Sequence, residues 1–501
     1  MSILSGRISQ ITTLDMSVFQ HQVEEMLTRG MRLVSFFASP IYGFPEIFLN
    51  ALLADDRYGK LQVLRVKKSR DSTYPSFTKK YSTFHCFERE ICEQYKITPE
   101  EHPWPKRGIR YPNRKGSGHL GQFEKYPFFK LEGKEVHEVG VGPIHAGVIE
   151  PGHFRFMCYG EMVHHLEIQL GYQHRHVESL LLRGEMSKLA PLVETIAGDS
   201  SIAHTWAYCR AYENLCVANI VDLADIELVR GVALELERIA MHLAGLSGLS
   251  TDIAFLPGGS TYGRLRTAII NTSMRLGGSR FGRGWLRPGE VRSPITKSLI
   301  DEVRIILSSF KQDIDKINDL FLSSKLVANR FCGVGVVTKE VAIDIGAVGM
   351  AARMSGVVLD LRQNFASSNA PYDKLPIVAM IEESGDCWAR ACLRIREINE
   401  SLYWINSAFD EMERKDWKLQ LKIELKAPQS NAYAISLIEG WRGEVMHYLE
   451  TGPSGKLAHY KVQDPSIRNW FALAQSLRGN EISDFPICNK SFDLSYCGND
   501  L

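Results

Sequence analysis

Ten cysteines are scattered through this 501-residue chain, yet no two of them form a Cys-x-x-Cys pair. That absence removes the usual way of ligating an iron–sulfur cluster or a zinc ribbon, which needs thiolates paired on one turn. Unpaired, scattered thiols fit a reducing compartment. Charge excess is also missing, since 59 basic side chains stand against 58 acidic ones. The chain therefore has no electrostatic footprint for nucleic acid. No uncharged apolar run reaches the roughly 18 to 20 residues of a membrane-crossing helix. The best stretch, 341–361, is interrupted by Asp344 and Arg353. The opening residues lack the apolar centre of a secretory signal. No Gly-x-Gly-x-x-Gly follows a strand-like segment, so this chain is not expected to bind a nicotinamide dinucleotide itself.

What is present is ordinary for a globular protein: 45% apolar and 23% charged residues, and enough length for two or three domains around a sizeable core. The pattern predicts an α+β chain in two parts. The first, residues 1–115, is α/β: Leu61–Val66 is strand-like, and Phe84–Cys92 is a strand end entering an amphipathic helix. His102-Pro103-Trp104-Pro105 then breaks any helix. Residues 116–125 are a Gly/Ser/Lys-rich linker. The second part, 126–501, is mainly helical with a small sheet at its start. There, Gly142-Pro143 and Pro151-Gly152 bracket a turn, and His153–Tyr159 alternates as a strand does. Gly160-Glu161 turns the chain into Met162–Leu166. Helical stripes follow at Ile202, Ala203, Trp206, Ala207, Ala211 and Leu215, at Val232, Leu236, Ile239, Ala240 and Leu243, and at Ile300, Val303, Leu307, Phe310, Ile314 and Ile317.

Several motifs carry a resemblance. In the first part these are Phe87-Glu88-Arg89-Glu90, His102-Pro103 and Lys106-Arg107, which resemble the 30-kDa subunit of respiratory complex I. In the second they are Gly142-Pro143-Ile144-His145, the run Gly171–Glu178, Leu236–Leu243, Tyr262–Arg266, Arg287-Pro288-Gly289 and Glu439–Glu444. These resemble the 49-kDa subunit of complex I, and more closely the large subunits of group 4 nickel–iron hydrogenases of the formate hydrogenlyase and hydrogenase-4 type. The order of motifs is preserved over nearly the whole chain. The departure lies at the metal. Ala197, Ser200, Ser466 and Asn469 stand where such a site has its four cysteines, and these residue types are poor donors to a soft metal. Hydrogenase chemistry is therefore not expected, nor is the quinone-head tyrosine of complex I reproduced beside Ala197-Gly198-Asp199.

The resemblance implies roles for five residues. Glu178 matches the glutamate that begins the hydrogenase proton path, although Arg175 and His176, within one helical turn, oppose the neutral state a relay needs. His145 and His153 lie on the loop that in complex I carries a histidine into the quinone cavity. Arg442 matches the arginine over the metal ligands and is able to hold a substrate oxygen or Asp464 by two parallel bonds. Asp199 is either a new acid/base group or, by residue preference, the cap of a helix beginning near Ser200. Asp199 with His204 as a hard-metal pair, and Ser200 with His204 as a nucleophile pair, lack the usual spacing and signature. The implied assembly is a peripheral subunit on the cytoplasmic face of the cell membrane. It would have no cofactor of its own, an iron–sulfur cluster in a small partner like the 20-kDa complex I subunit, antiporter-like membrane partners, a ferredoxin-like subunit, and a cleft that takes quinone or loads protons. The rival reading is a non-catalytic coupling subunit.

Overall fold

The computed structural model describes residues 3–41, 43–106, 109, 127–147, 149–216, 223–365 and 371–501. The expected linker at 116–125 lies outside them. The chain mixes helices and several small sheets, as expected.

The N-terminal sheet is built from the antiparallel strands Arg32–Pro40, Ile47–Asp55 and Lys60–Lys68, with Thr13–Leu14 pairing parallel to the last. The central strand reads Ile-Phe-Leu-Asn-Ala-Leu-Leu-Ala-Asp, a nearly continuous apolar run that marks a strand covered on both faces. Ile47, Leu49, Ala51 and Leu53 pack with Phe19, Phe36, Phe77 and Phe84. Leu52 and Ala54 point the other way, into a layer with Tyr433, Ile435, Leu437, Met446 and Tyr448. That layer belongs to a second sheet, ordered Ile3–Arg7, Ala432–Gly440, Gly443–Thr451, Leu457–Gln463, all antiparallel. The first strand of the chain is thus an edge of a sheet made from its last third. Each large apolar side chain in the shared layer contributes about 2 kcal/mol by leaving water.

The region 84–92 is not a strand end. A short 3-10 turn at Ser82–Phe84 leads directly into the helix His85–Tyr95, which ends on Lys96 in the left-handed conformation. The expected entrance sheet is three-stranded, with His153–Tyr159 between Val136–Val141 and Met162–Gln169. The three predicted stripes lie on the helices Ser201–Cys216, Ala224–Asp252 and Lys297–Ser323. The last is buried on one face only. The Ala224–Asp252 helix is central and carries Glu227, Arg230, Glu235, Glu237, Arg238 and His242 away from solvent. Most of these groups are ion-paired, as burial demands: Arg230 bonds Glu213 and Glu227, Arg238 bonds Glu235 and Glu397, His242 bonds Glu397 at 2.7 Å, and Arg353 ties Glu397 to Glu439. Among the described residues, no helix is long and apolar enough to cross a membrane.

Candidate functional site

The site lies where three elements meet: the start of the Ser201–Cys216 helix, the Trp441-Arg442 turn between two strands, and the start of the Ser466–Ser476 helix. In the first turn of that helix the backbone N–H groups of Ile202 and Ala203 both donate to the carboxylate of Glu237, at 2.7 and 3.3 Å. A residue of the central helix, not Asp199, therefore caps this helix. Burial, reinforced by the Asp199 charge, pushes Glu237 up to about 8 against the pull of those two N–H groups.

Asp199 is taken by Arg442. Its two oxygens receive the guanidinium fork at 2.7 and 2.6 Å, and its carbonyl receives the Trp441 indole N–H at 2.8 Å. The guanidinium lies over the Trp441 ring, 3.9 Å from its centroid, and donates to the carbonyl of Asp493 at 2.5 Å. Burial works against its charge, and Asp199 more than offsets that, so Arg442 stays protonated. The expected clamp of Arg442 on Asp464 is not formed, because Asp199 already fills both arms of the fork. Gly349 makes this turn fit: it sits at φ +61, and a Cβ there would come within 2.3 Å of the Arg442 carbonyl oxygen.

Each position expected to have lost a metal ligand has become a packing or hydrogen-bonding element. Ala197 is fully buried. Ser200 accepts from Arg442 at 3.3 Å, Ser466 accepts from the Ser495 N–H at 2.9 Å, and Asn469 makes a two-way amide pair with the Val348 backbone, both arms at 3.1 Å. Gly498 lies so close to Asp464 that a Cβ would meet its carboxyl carbon at 2.6 Å. The C-terminal residues thus cover this wall. Among the described residues no three His, Cys, Asp or Glu side chains gather as a metal set.

Behind the wall runs a buried polar chain. Asp464 accepts from the Ser466 N–H at 2.8 Å and meets His204 Nε2 at 3.1 Å; His204 Nδ1 meets His447 Nε2 at 3.0 Å; His447 Nδ1 meets the Tyr460 hydroxyl at 2.7 Å. Burial pushes Asp464 up, but the His204 bond and the Arg442 charge bring it below the usual carboxylate range. Burial holds His447 well below its ordinary value, so its ring is neutral. An ionised Asp464 requires the His204 Nε2–H to donate. A neutral His447 ring donates from one nitrogen and accepts at the other, so it links His204 to Tyr460. Ser200 and His204 do not pair as nucleophile and base, and His204 does not join Asp199 around a metal.

The remaining predicted residues lie elsewhere. Glu178 is in the short helix Val177–Leu181, where it accepts from the Val462 N–H at 3.1 Å and pairs with Lys461 at 3.0 Å. Lys461 also holds Glu90 of the N-terminal part at 2.7 Å. Arg175 and His176 do not share a helical turn with Glu178, because His176 adopts φ +56 and the helix begins after it. Arg175 instead donates to the carbonyls of Thr195 and Ile196. His145 bonds the Gly152 carbonyl at 2.7 Å, and His153, the first residue of its strand, bonds the Gly142 carbonyl at 3.1 Å. The two histidines cross-strap the base of the loop and leave Ile144 at its tip 89% exposed. Burial holds His153 below its ordinary value. Of the five candidates the structure joins only Asp199 and Arg442. Sequence reasoning considers His204 only as a partner of Asp199 or Ser200, and gives Glu237, His447, Tyr460 and Lys461 no role. Glu237 stands inside a quoted motif, whereas His447, Tyr460 and Lys461 give no local signal.

Comparison with known proteins agrees with the motifs. The family described as the respiratory-chain NADH dehydrogenase 49 Kd subunit matches residues 257–432. Formate hydrogenlyase subunit 5 of Escherichia coli (strain K12) is 28% identical over 85% of this chain and 77% of its own length. Hydrogenase-4 component G of the same organism is 27% identical over 85% and 76%. The membrane-bound hydrogenase subunit alpha of Pyrococcus furiosus is 29% identical over 71% and 85%. Among solved structures, a chain of the membrane-bound sulfane sulfur reductase, an archaeal respiratory membrane complex, superposes with a TM-score of 0.65 at 22% identity, over 74% of this chain and 99% of that one. That likeness concerns the fold. The likeness to complex I 49-kDa and group 4 hydrogenase large subunits, expected from the motifs, is borne out.

Proposed function

From that kinship as premise, we propose that this chain is a peripheral, cytoplasm-facing subunit of a membrane-bound, ion-translocating oxidoreductase complex, without hydrogenase chemistry of its own. The observation that carries the reading is a likeness to such subunits over as much as 85% of the chain, combined with four expected ligand positions committed to packing or hydrogen bonding. Electrons reach the complex through an iron–sulfur cluster held by a small partner subunit, and antiporter-like membrane subunits move the ions. This chain contributes proton loading. The Asp464–His204–His447–Tyr460 chain is continuous within hydrogen-bond distance, and Glu237, poised near neutrality beneath the Arg442–Asp199 pair, is suited to exchange a proton. Quinone binding at the partner interface remains part of the proposal, and the exposed loop tip at Ile144 is available to that interface.

A second reading, a structural coupling subunit, is favoured by one observation: His145, His153 and Glu178 are all engaged in holding backbone. Two measurements test the proposals. Mass spectrometry of the complex copurifying from gently solubilised membranes is expected to find a small iron–sulfur subunit and antiporter-like subunits. Recovery of the chain alone from the soluble fraction, or stoichiometric nickel in the purified complex, overturns the first reading. In an assembled complex, His447→Gln is expected to slow turnover at least tenfold; unchanged turnover favours the coupling reading.

A further inference from the structure

Cys387 and Cys488 are not among the expected metal-ligand positions, and the proposed function uses neither. Cys387 is the first residue of the long helix Cys387–Arg414, and Cys488 sits in the helix Phe485–Phe492. Their sulfurs are 3.9 Å apart, and both side chains are fully buried. The surroundings favour one ionised thiol. Arg390, one turn along, places Nη2 3.2 Å from the Cys387 sulfur, and the Ser491 hydroxyl lies 3.6 Å from it. A helix N-terminus adds its partial positive charge. Burial pushes the Cys387 thiol up, but the Cys488 contact and the Arg390 charge outweigh it and bring it down to about 6, while Cys488 is pushed well above its ordinary value. The pair therefore holds one proton between two sulfurs. The backbone makes room for this approach at Gly335, where a Cβ would lie 2.5 Å from the Cys488 sulfur and 2.9 Å from Arg390 Nη2.

We propose that Cys387 and Cys488 form a peroxide-sensitive dithiol site that closes to a reversible disulfide. The oxidant is hydrogen peroxide, a small uncharged molecule that reaches these fully buried sulfurs as the short helix Phe485–Phe492 opens locally. The Cys387 thiolate attacks one peroxide oxygen and the O–O bond breaks. The departing hydroxide takes up a proton as water, leaving a sulfenic acid on Cys387. The Cys488 sulfur then attacks the Cys387 sulfur, the S–O bond breaks, and the hydroxide leaves as water with the Cys488 proton. Two thiols and one peroxide give one disulfide and two waters. Arg390 serves the first step by holding the thiolate, and Ser491 stays bonded to both helices. The disulfide would tie the start of the long helix to the helix that leads directly into Asp493, whose carbonyl accepts from Arg442. Oxidation is thereby connected to the residues covering the ligandless wall.

The test uses the full chain in its native complex, treated with graded hydrogen peroxide, then denatured, alkylated and peptide-mapped without reduction. Exposure alone makes Cys332 the first to react, since it is the exposed cysteine of the ten. The expected result is the reverse: a linked Cys387–Cys488 peptide forms at least tenfold faster than Cys332 is modified, and dithiothreitol reverses it. In Cys488→Ser, dimedone is expected to trap a sulfenic acid on Cys387. Recovery of Cys387 and Cys488 as free thiols while Cys332 is oxidised overturns the proposal, whatever the subunit composition of the complex.

Discussion

Replacing Glu237 by Gln should change how stability depends on pH more than it changes stability itself. The wild-type carboxyl titrates at 4.5 when unfolded and at about 8 in the folded chain. Between those values the folded state holds a proton that the unfolded state has released. A raised carboxyl pKa therefore costs nothing well below pH 4.5, and the cost grows as pH rises until it is complete above pH 8. At about 1.36 kcal/mol per pKa unit the ceiling is about 5 kcal/mol, with about 1 kcal/mol lost at pH 5 and about 3 kcal/mol at pH 7. Glutamine has the same shape, keeps an oxygen for the Ile202 N–H, and does not titrate. Its amide faces the Ala203 N–H, which costs roughly 1 kcal/mol at all pH values. The variant should thus match or trail the wild type at pH 5 and exceed it at pH 8, a relative gain of about 3.5 kcal/mol across that window. Urea unfolding of both proteins at pH 5, 6, 7 and 8 reads this directly. Parallel stability curves would refute the reasoning and remove Glu237 from any proton-loading role.

Two further perturbations probe the contacts around the site. Lys461→Met leaves Glu90 and Glu178 without their shared cation and should cost about 3 to 5 kcal/mol; adding Glu90→Gln should restore most of that in a double-mutant cycle, whereas additive losses would show that Lys461 and Glu90 are not coupled. Asn469→Cys restores a thiol at an expected ligand position but removes both bonds to Val348, so denaturant unfolding should register a loss of about 2 kcal/mol, and an unchanged midpoint would mean that the amide pair carries no stability.

The helices and the thiol-free stretches around 197–200 and 466–469 were legible in the sequence because their signals are local. The spacing of Ile300, Val303, Leu307 and Phe310 is a property of one helix face, and the absence of thiols at 197, 200, 466 and 469 needs only the motifs around them. The buried sheet at 432–463 was not legible as such. Its strands are covered on both faces, so the alternation that marks a half-exposed strand is erased. Asp199 misled for a related reason: its type and position suit a helix cap, but Arg442 outcompetes two backbone N–H groups for its carboxylate, and Glu237 takes those groups instead.

By itself, then, the sequence determined the main helices, the entrance sheet and the order of the motifs, since propensity, periodicity and residue chemistry act over a few residues. Only the tertiary structure decided that His204 meets His447, that Lys461 lies between Glu90 and Glu178, and that Cys387 faces Cys488. Those pairs join residues 243, 371 and 101 positions apart, and what brings them together is the stacking of two sheets and a central helix around charges that burial obliges to find partners.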